Sequence, residues 1–353
     1  MATQSEISYH YDVDNEFYAV FLDKDHMAYS CGVWDGALDL EHAQKEKLAR
    51  IASFARVKAS DRIMDVGCGW GGLIRYALDE LGAASAVGLT LSNDQFAYIS
   101  GRSRETIRVE LRSWADYPAP MEKFDAVMSV GAFEHFASME DRAENVHRDI
   151  YRKFFQWCSD ISVDQASLGL QTIISTRPPR DLSEVRDVRF LLEDVFRGSA
   201  LPYIDDVLEA SSGIYEVMEL RRIGKDYSRT LSEWKARLIK SRAKVIDRYG
   251  EPLFHHYERY FDSSERVFNS GLVDLLQVSL RKKASISNKL VRPTNGRRPW
   301  RARRGVAPQL FRPKPYEVVS EPLVSSSDGE RPDAICAHKV SVESPGRGAE
   351  PSA

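Results

Sequence analysis

Arg62-Ile63-Met64-Asp65-Val66-Gly67-Cys68-Gly69-Trp70-Gly71-Gly72-Leu73 is the stretch that decides how this chain folds. A short apolar run, broken by Asp65, enters a glycine turn. Leu73, Ala77 and Leu81 then recur at helical spacing on one face. A strand that feeds a glycine turn and opens a helix is the entry unit of a doubly wound α/β sheet. Downstream, Ala86–Thr90 reads as a second strand and Asn93–Arg102 as a second helix capped by Ser92. Phe124–Val130 reads as a third strand. Near-continuous apolar strands alternating with helices predict a parallel sheet. In such sheets ligands bind beyond the carboxyl ends of the strands.

Gly67, Gly69 and Gly72 satisfy the spacing G-x-G-x-x-G. That spacing suits NAD, a phosphate, or a turn that binds nothing. Three features turn the reading away from a dinucleotide. Asp65 ends the strand ahead of the glycines, where a carboxylate accepts hydrogen bonds but repels a pyrophosphate. No acid ends the second strand, where a nicotinamide dinucleotide's ribose would need one; Val87–Thr90 stands there. Trp70 places a large ring in a loop that must approach its ligand closely. Glycine lets backbone approach a ligand without a Cβ clash. The loop is therefore expected to hold the methionine part of S-adenosylmethionine, with a purely structural turn as the alternative.

Around this core the chain divides into four regions. Residues 1–55 are polar and aromatic, with a helix over Leu40–Ala55; residues 56–176 form the α/β core; residues 177–283 read as mostly helical. Residues 284–353 change character, with Arg297-Arg298-Pro299, Arg301-Ala302-Arg303-Arg304 and a Pro/Gly/Ser end, and predict a disordered tail. Hydrophobic residues make up 43 % of the 353 and net charge is −3, which suits a packed core and argues against a chain-wide polyanion binder. No apolar run approaches the roughly 20 residues of a membrane helix, and the start Met1–Glu6, without a basic stretch and apolar core, leads to the expectation of no signal peptide. Cys31, Cys68, Cys158 and Cys336 have no metal-type spacing, so a reduced, cytoplasmic setting and no metal are expected.

Several ordered motifs between residues 9 and 283 resemble the cyclopropane-fatty-acid synthase family of methyltransferases, whose members include mycolic acid cyclopropane synthases. They are Tyr9-His10-Tyr11-Asp12 with Asn15, Phe17 and Tyr18; Tyr29-Ser30-Cys31; Ala43-Gln44 with Lys47-Leu48; Asp65–Gly72; Gly88–Ser92 with Gln95; and Gly131-Ala132-Phe133-Glu134-His135-Phe136. Leu201-Pro202, Tyr227, Trp234, Tyr260 and Phe268 continue the match. The resemblance implies a class I methyltransferase sheet with a helical N-terminal segment and a helical substrate cap. It implies that Tyr29, Ser30, Asp65, Gly67, Gly69 and Gly71 hold the methionine end of S-adenosylmethionine. Thr90, Leu91 and Gln95 would hold the ribose, and Trp114 would flank the adenine.

The resemblance also implies a chemistry. In relatives that act on alkenes, the π bond attacks the methyl, a carbocation forms, and a base held as bicarbonate removes a proton. Aromatic faces stabilise such a cation. By this resemblance Glu134, Cys31 and Tyr260 belong to the base site, Cys31 through its backbone. His135 is a structural residue, a backbone contributor or a direct base. Each has a plainer alternative: Glu134 as a helix-start carboxylate, Cys31 as a small buried hydrophobe, Tyr260 as a half-buried helix tyrosine. One departure stands out. Gln171 takes the place where the lipid enzymes commonly carry a histidine, and glutamine donates a hydrogen bond but cannot become cationic.

The leading expectation is methyl transfer to carbon of an unsaturated acyl chain or specialised metabolite. The runner-up is N- or O-methylation of a small molecule, and the third is a cofactor-binding scaffold without catalysis. Residues 177–219 read as a pocket cap or as an ordinary packing layer. The basic 281–314 stretch reads as a solvated tail or as a contact for anionic lipid or an acidic carrier. Nucleic-acid binding finds no supporting motif.

Overall fold

A computed structural model describes residues 14–102, 104–196 and 198–284. The Tyr9–Asp12 motif and the basic tail lie outside these residues. Seven strands form one sheet: β1 Arg62–Val66, β2 Ser85–Thr90, β3 Ile107–Leu111, β4 Phe124–Val130, β5 Ser162–Ser175, β6 Tyr215–Arg222 and β7 Val273–Lys282. Their order is β3-β2-β1-β4-β5-β7-β6. The first five run parallel, whereas β7 is antiparallel to both β5 and β6.

Within residues 56–176 the strands are parallel, as the sequence predicts. Residues 177–283, read as mostly helical, add two strands that make the whole sheet mixed. The physical reasons differ for the two strands. β6 lies at the sheet edge, is mostly exposed, and its Glu216, Glu219, Arg221 and Arg222 read as a charged helix face. β7 is buried nearly throughout, so it shows none of the alternation that separates a strand from a buried helix.

Alternate side chains of the central strands feed opposite faces, as pleating requires. Ile63 with Ala126 and Met128 packs against Ile51, Ile74 and Ala77 from the Leu40–Phe54 and Gly72–Asp79 helices. Met64, Val66 and Val127 pack on the other face against Tyr151, Phe154 and Phe155 of the His147–Asp160 helix. Helices on both faces make the sheet doubly wound. The predicted Ser92 cap is present, its hydroxyl accepting from the Gln95 backbone N–H. No described helix is long and apolar enough to cross a membrane.

A third apolar cluster lies at the carboxyl ends of the strands. It joins Phe17, Tyr18 and Phe21 to Phe190, Trp234, Tyr257 and Phe261. Trp70 ties it to the glycine loop. Its indole N–H donates to Asn15 Oδ1 at 2.6 Å and its ring lies 5.0 Å from that of Tyr18. Strand order reverses between β1 and β4, and the loops that leave these two strands diverge there, which is where such sheets bind ligands.

Candidate active site

Val66 delivers the chain into a turn pinned to the neighbouring strand. The N–H groups of Gly67 and Cys68 both donate to the Leu89 carbonyl at 2.9 Å. Gly67 has φ +79°, and a Cβ there would meet Ala132 Cβ at 2.5 Å. Only glycine lets this loop pass beneath the turn that follows β4. Gly69 has φ +54° with no atom near its Cβ direction.

The loop floors a cavity of about 1120 Å³, open mouth included. Tyr29, Ser30, Asp65, Gly67, Gly69, Thr90, Leu91, Gln95 and Trp114 all line it. Gly71 does not; with φ +77° it caps the Gly72–Asp79 helix instead. At the end of β2 the Thr90 hydroxyl donates to Gln95 Oε1 at 2.8 Å, which leaves the Gln95 amide as a donor. Trp114 lies against Phe136, Phe154 and Trp157, and its buried indole N–H has no hydrogen-bond partner among the described residues. Asp65 is buried, its Oδ1 also lacks a partner among the described residues, and burial pushes its carboxyl up to about 7.

A second chamber, about 380 Å³ with its open mouth included, adjoins the first. Tyr29, Ser30, Gly131 and His135 line both. Glu134, Gln171 and Tyr260 line the smaller one with Ile173, Phe196, Tyr227 and Leu275. Glu134 stands in the short turn Phe133–His135 just past β4 and Gly131. Its Oε2 accepts from the Thr172 hydroxyl at 3.0 Å, and burial pushes its carboxyl up to about 7. His135 shares a 2.8 Å hydrogen bond between Nδ1 and Ser199 Oγ. Burial pulls its imidazole down to about 4, so the ring is neutral at physiological pH. Tyr260 is hydrogen-bonded to Tyr29, and burial pushes its phenol up to about 12.

Gln171 Oε1 accepts from Gln277 Nε2 at 2.7 Å, across the register that pairs the two residues between β5 and β7. Its own amide N–H groups remain as donors. No lysine or arginine is among the described residues lining the smaller chamber. Cys31 lines neither chamber. Its thiol donates to the Gly32 carbonyl at 3.0 Å, and burial pushes its pKa far up, so it is a neutral packing group and not a nucleophile.

Comparison with known proteins gives this geometry its context. The family model for mycolic acid cyclopropane synthetase matches residues 1–278. The chain belongs to the mycolic acid cyclopropane synthetase family. Cyclopropane mycolic acid synthase 2 of Mycobacterium leprae is 32 % identical over 291 residues, covering 77 % of this chain and 92 % of the relative. The S-adenosylmethionine-dependent methyltransferase UmaA of Mycobacterium tuberculosis is 29 % identical, with 77 % and 95 % covered. The solved structure of mycolic acid cyclopropane synthase CmaA1 complexed with SAH and CTAB aligns at a TM-score of 0.71 with 26 % identity, over 79 % of this chain and 98 % of that one.

As a member of the mycolic acid cyclopropane synthetase family, the protein is an S-adenosylmethionine-dependent methyltransferase with the class I sheet. The residues present fit that cofactor. The unpartnered Asp65 oxygen suits an ammonium, the glycine turn admits a close approach, and the Thr90–Gln95 pair offers a donor to a ribose. For bicarbonate the smaller chamber supplies donors from Gln171 and Tyr260, but no cation. Lys47, His26 and Arg112 also line the larger cavity, and the sequence reading named none of them as a site residue. Lys47 gave one signal, its place in the Gln44–Leu48 family motif.

Proposed function

We propose that this enzyme transfers the methyl group to carbon of an unsaturated acyl chain. The larger cavity then holds the donor and the smaller chamber the reacting alkene. One observation carries the reading: the two chambers meet at Tyr29, Ser30, Gly131 and His135, beside the buried Glu134. The bound cofactor supplies an electrophilic methyl on a positive sulfur. The chain's own residues need only align the alkene, exclude water and remove a proton.

The chamber suits these tasks. Phe196 and Tyr260 meet edge to face at 5.9 Å, and their rings offer π density to a carbocation formed on the substrate. Glu134 is the sole carboxylate among the described residues lining the chamber, and it takes the proton that the alkylated substrate loses. An ionisation near 7 lets it accept that proton and return it to solvent near neutral pH. Neutral His135, held by Ser199, borders both chambers where they meet. The relatives named for cyclopropane mycolic acid synthesis support an acyl substrate. The basic 281–314 stretch would complement the charge of an anionic lipid or acidic carrier that presents it. The buried, unpaired thiols of Cys31, Cys68 and Cys158 suit a reduced cytoplasm.

The test uses paired acyl chains that differ only in one cis double bond, with methyl-labelled donor. Label is expected in the unsaturated chain and not in its saturated twin. Equal labelling of both, or label confined to an amine or hydroxyl acceptor, would remove the alkene from the account.

A further inference from the structure

We infer that Lys47 and Asp65 are the two poles of a clamp for the α-amino-acid end of the cofactor, Lys47 taking the carboxylate and Asp65 the ammonium. The inference rests on reading the larger cavity as the cofactor site, and it adds a residue that the glycine motif does not contain.

Lys47 lies on the buried face of the Leu40–Phe54 helix and is 2 % exposed; Asp65 in β1 is also 2 % exposed. Both line the larger cavity. Lysine and aspartate are almost never buried unless paired. Yet Lys47 Nζ has one hydrogen-bond partner among the described residues, the neutral Ser30 hydroxyl at 3.0 Å. Asp65 Oδ1 has none. The two groups feel each other electrostatically without forming an ion pair. Burial drives each toward its neutral form, Lys47 down to about 8 and Asp65 up to about 7.

Asp23 exerts the largest charge attraction on Lys47, ahead of Asp65, but it forms no ion pair with Lys47 and is not among the described residues that line the cavity. Its two oxygens accept from the His26 and Ala28 backbone N–H groups at 2.7 Å each, and so shape the loop that carries Tyr29 and Ser30. Arg112 pairs with Glu110 at 3.3 Å. Asp65 is the sole carboxylate among the described residues that line the cavity. A buried cation and a buried anion in one cavity, each short of a partner, match a ligand that carries both charges on one carbon. An α-amino acid is such a ligand. Placed between them it gives each buried charge a charge-assisted partner within the cavity. Ser30 then positions Lys47, and Gln44 positions Ser30 by donating to its carbonyl at 2.7 Å.

Calorimetric titration with three probes tests this: S-adenosylmethionine, its decarboxylated form, which keeps the amine alone, and 5′-methylthioadenosine, which has neither charge. Lys47→Met is expected to lose about tenfold or more in affinity for S-adenosylmethionine while binding the decarboxylated form as the parent does. Asp65→Asn is expected to weaken both amines and leave methylthioadenosine unchanged. Lys47→Arg, which keeps the charge, is expected to keep the preference for the carboxylate, and it serves if the Met variant does not fold. A Lys47→Met variant that weakens all three probes equally would show a structural lysine and overturn the clamp. So would a parent protein that binds all three with equal affinity, although the cofactor reading would survive. A parent that binds none would overturn that reading and the clamp together.

Discussion

Gly67→Val is expected to abolish binding of S-adenosylmethionine, with a loss of about 100-fold or more by calorimetry. Two costs coincide at this position. The backbone has φ +79°, which a β-branched residue adopts only under strain of roughly 1–3 kcal/mol. The added Cβ would also meet Ala132 Cβ at 2.5 Å, inside any tolerable contact. Ala132 belongs to the turn that carries Glu134, so neither side can yield without moving part of the site. The loop would have to swing away from Leu89, whose carbonyl holds both Gly67 and Cys68. A melting curve and circular dichroism establish that the variant is folded. A folded variant with unaltered affinity would contradict the assignment of this turn to the cofactor.

Glu134→Gln is expected to cut kcat by about 10²–10⁴, the range for loss of a positioned proton acceptor, while affinity for the cofactor stays near that of the parent. The substitution also has a signature in stability. Burial raises the Glu134 carboxyl from 4.5 to about 7. A carboxyl raised in the folded state contributes stability that is fully present below 4.5 and lost as pH rises through about 7. Above that, the buried carboxylate costs on the order of 3 kcal/mol. Glutamine is neutral throughout. The variant should therefore melt higher than the parent above pH 7, with the difference fading towards pH 4.5. In the parent, turnover should rise with pH through about 7 as the carboxylate forms. Full activity in the variant would remove Glu134 from the chemistry.

The elements legible in the sequence were those with strong local signals. β1 and β4 match their predicted bounds, Arg62–Val66 and Phe124–Val130, because a short apolar run ends in each case at a glycine turn. The Asn93–Ser100 helix announced itself through Ser92. Thr90 and Gln95 entered through the family resemblance, which offers a ribose partner where β2 ends without an acid, and the fold brings the two side chains within hydrogen-bond distance. What stayed hidden depends on tertiary contact. β3 is only partly buried and gave no clear pattern. Lys47 sits in a helix rich in charge, where one more lysine reads as a solvated one; the sheet beneath the helix makes it a buried one. The Gln171–Gln277 bond joins residues 106 positions apart, and only the antiparallel register of β5 and β7 brings them together. Cys31 followed its motif into the site's neighbourhood, yet its side chain packs behind Thr230 and touches neither chamber.

The central claim is that the methyl goes to an alkene carbon and that a proton then leaves. Mass spectrometry of the product formed from trideuteriomethyl donor and a cis-monounsaturated acyl chain tests it most directly. The account predicts label on the acyl carbons with two of the three deuteriums retained, the third having been lost as the ring or methylene forms. Label on nitrogen or oxygen with all three deuteriums intact would contradict it.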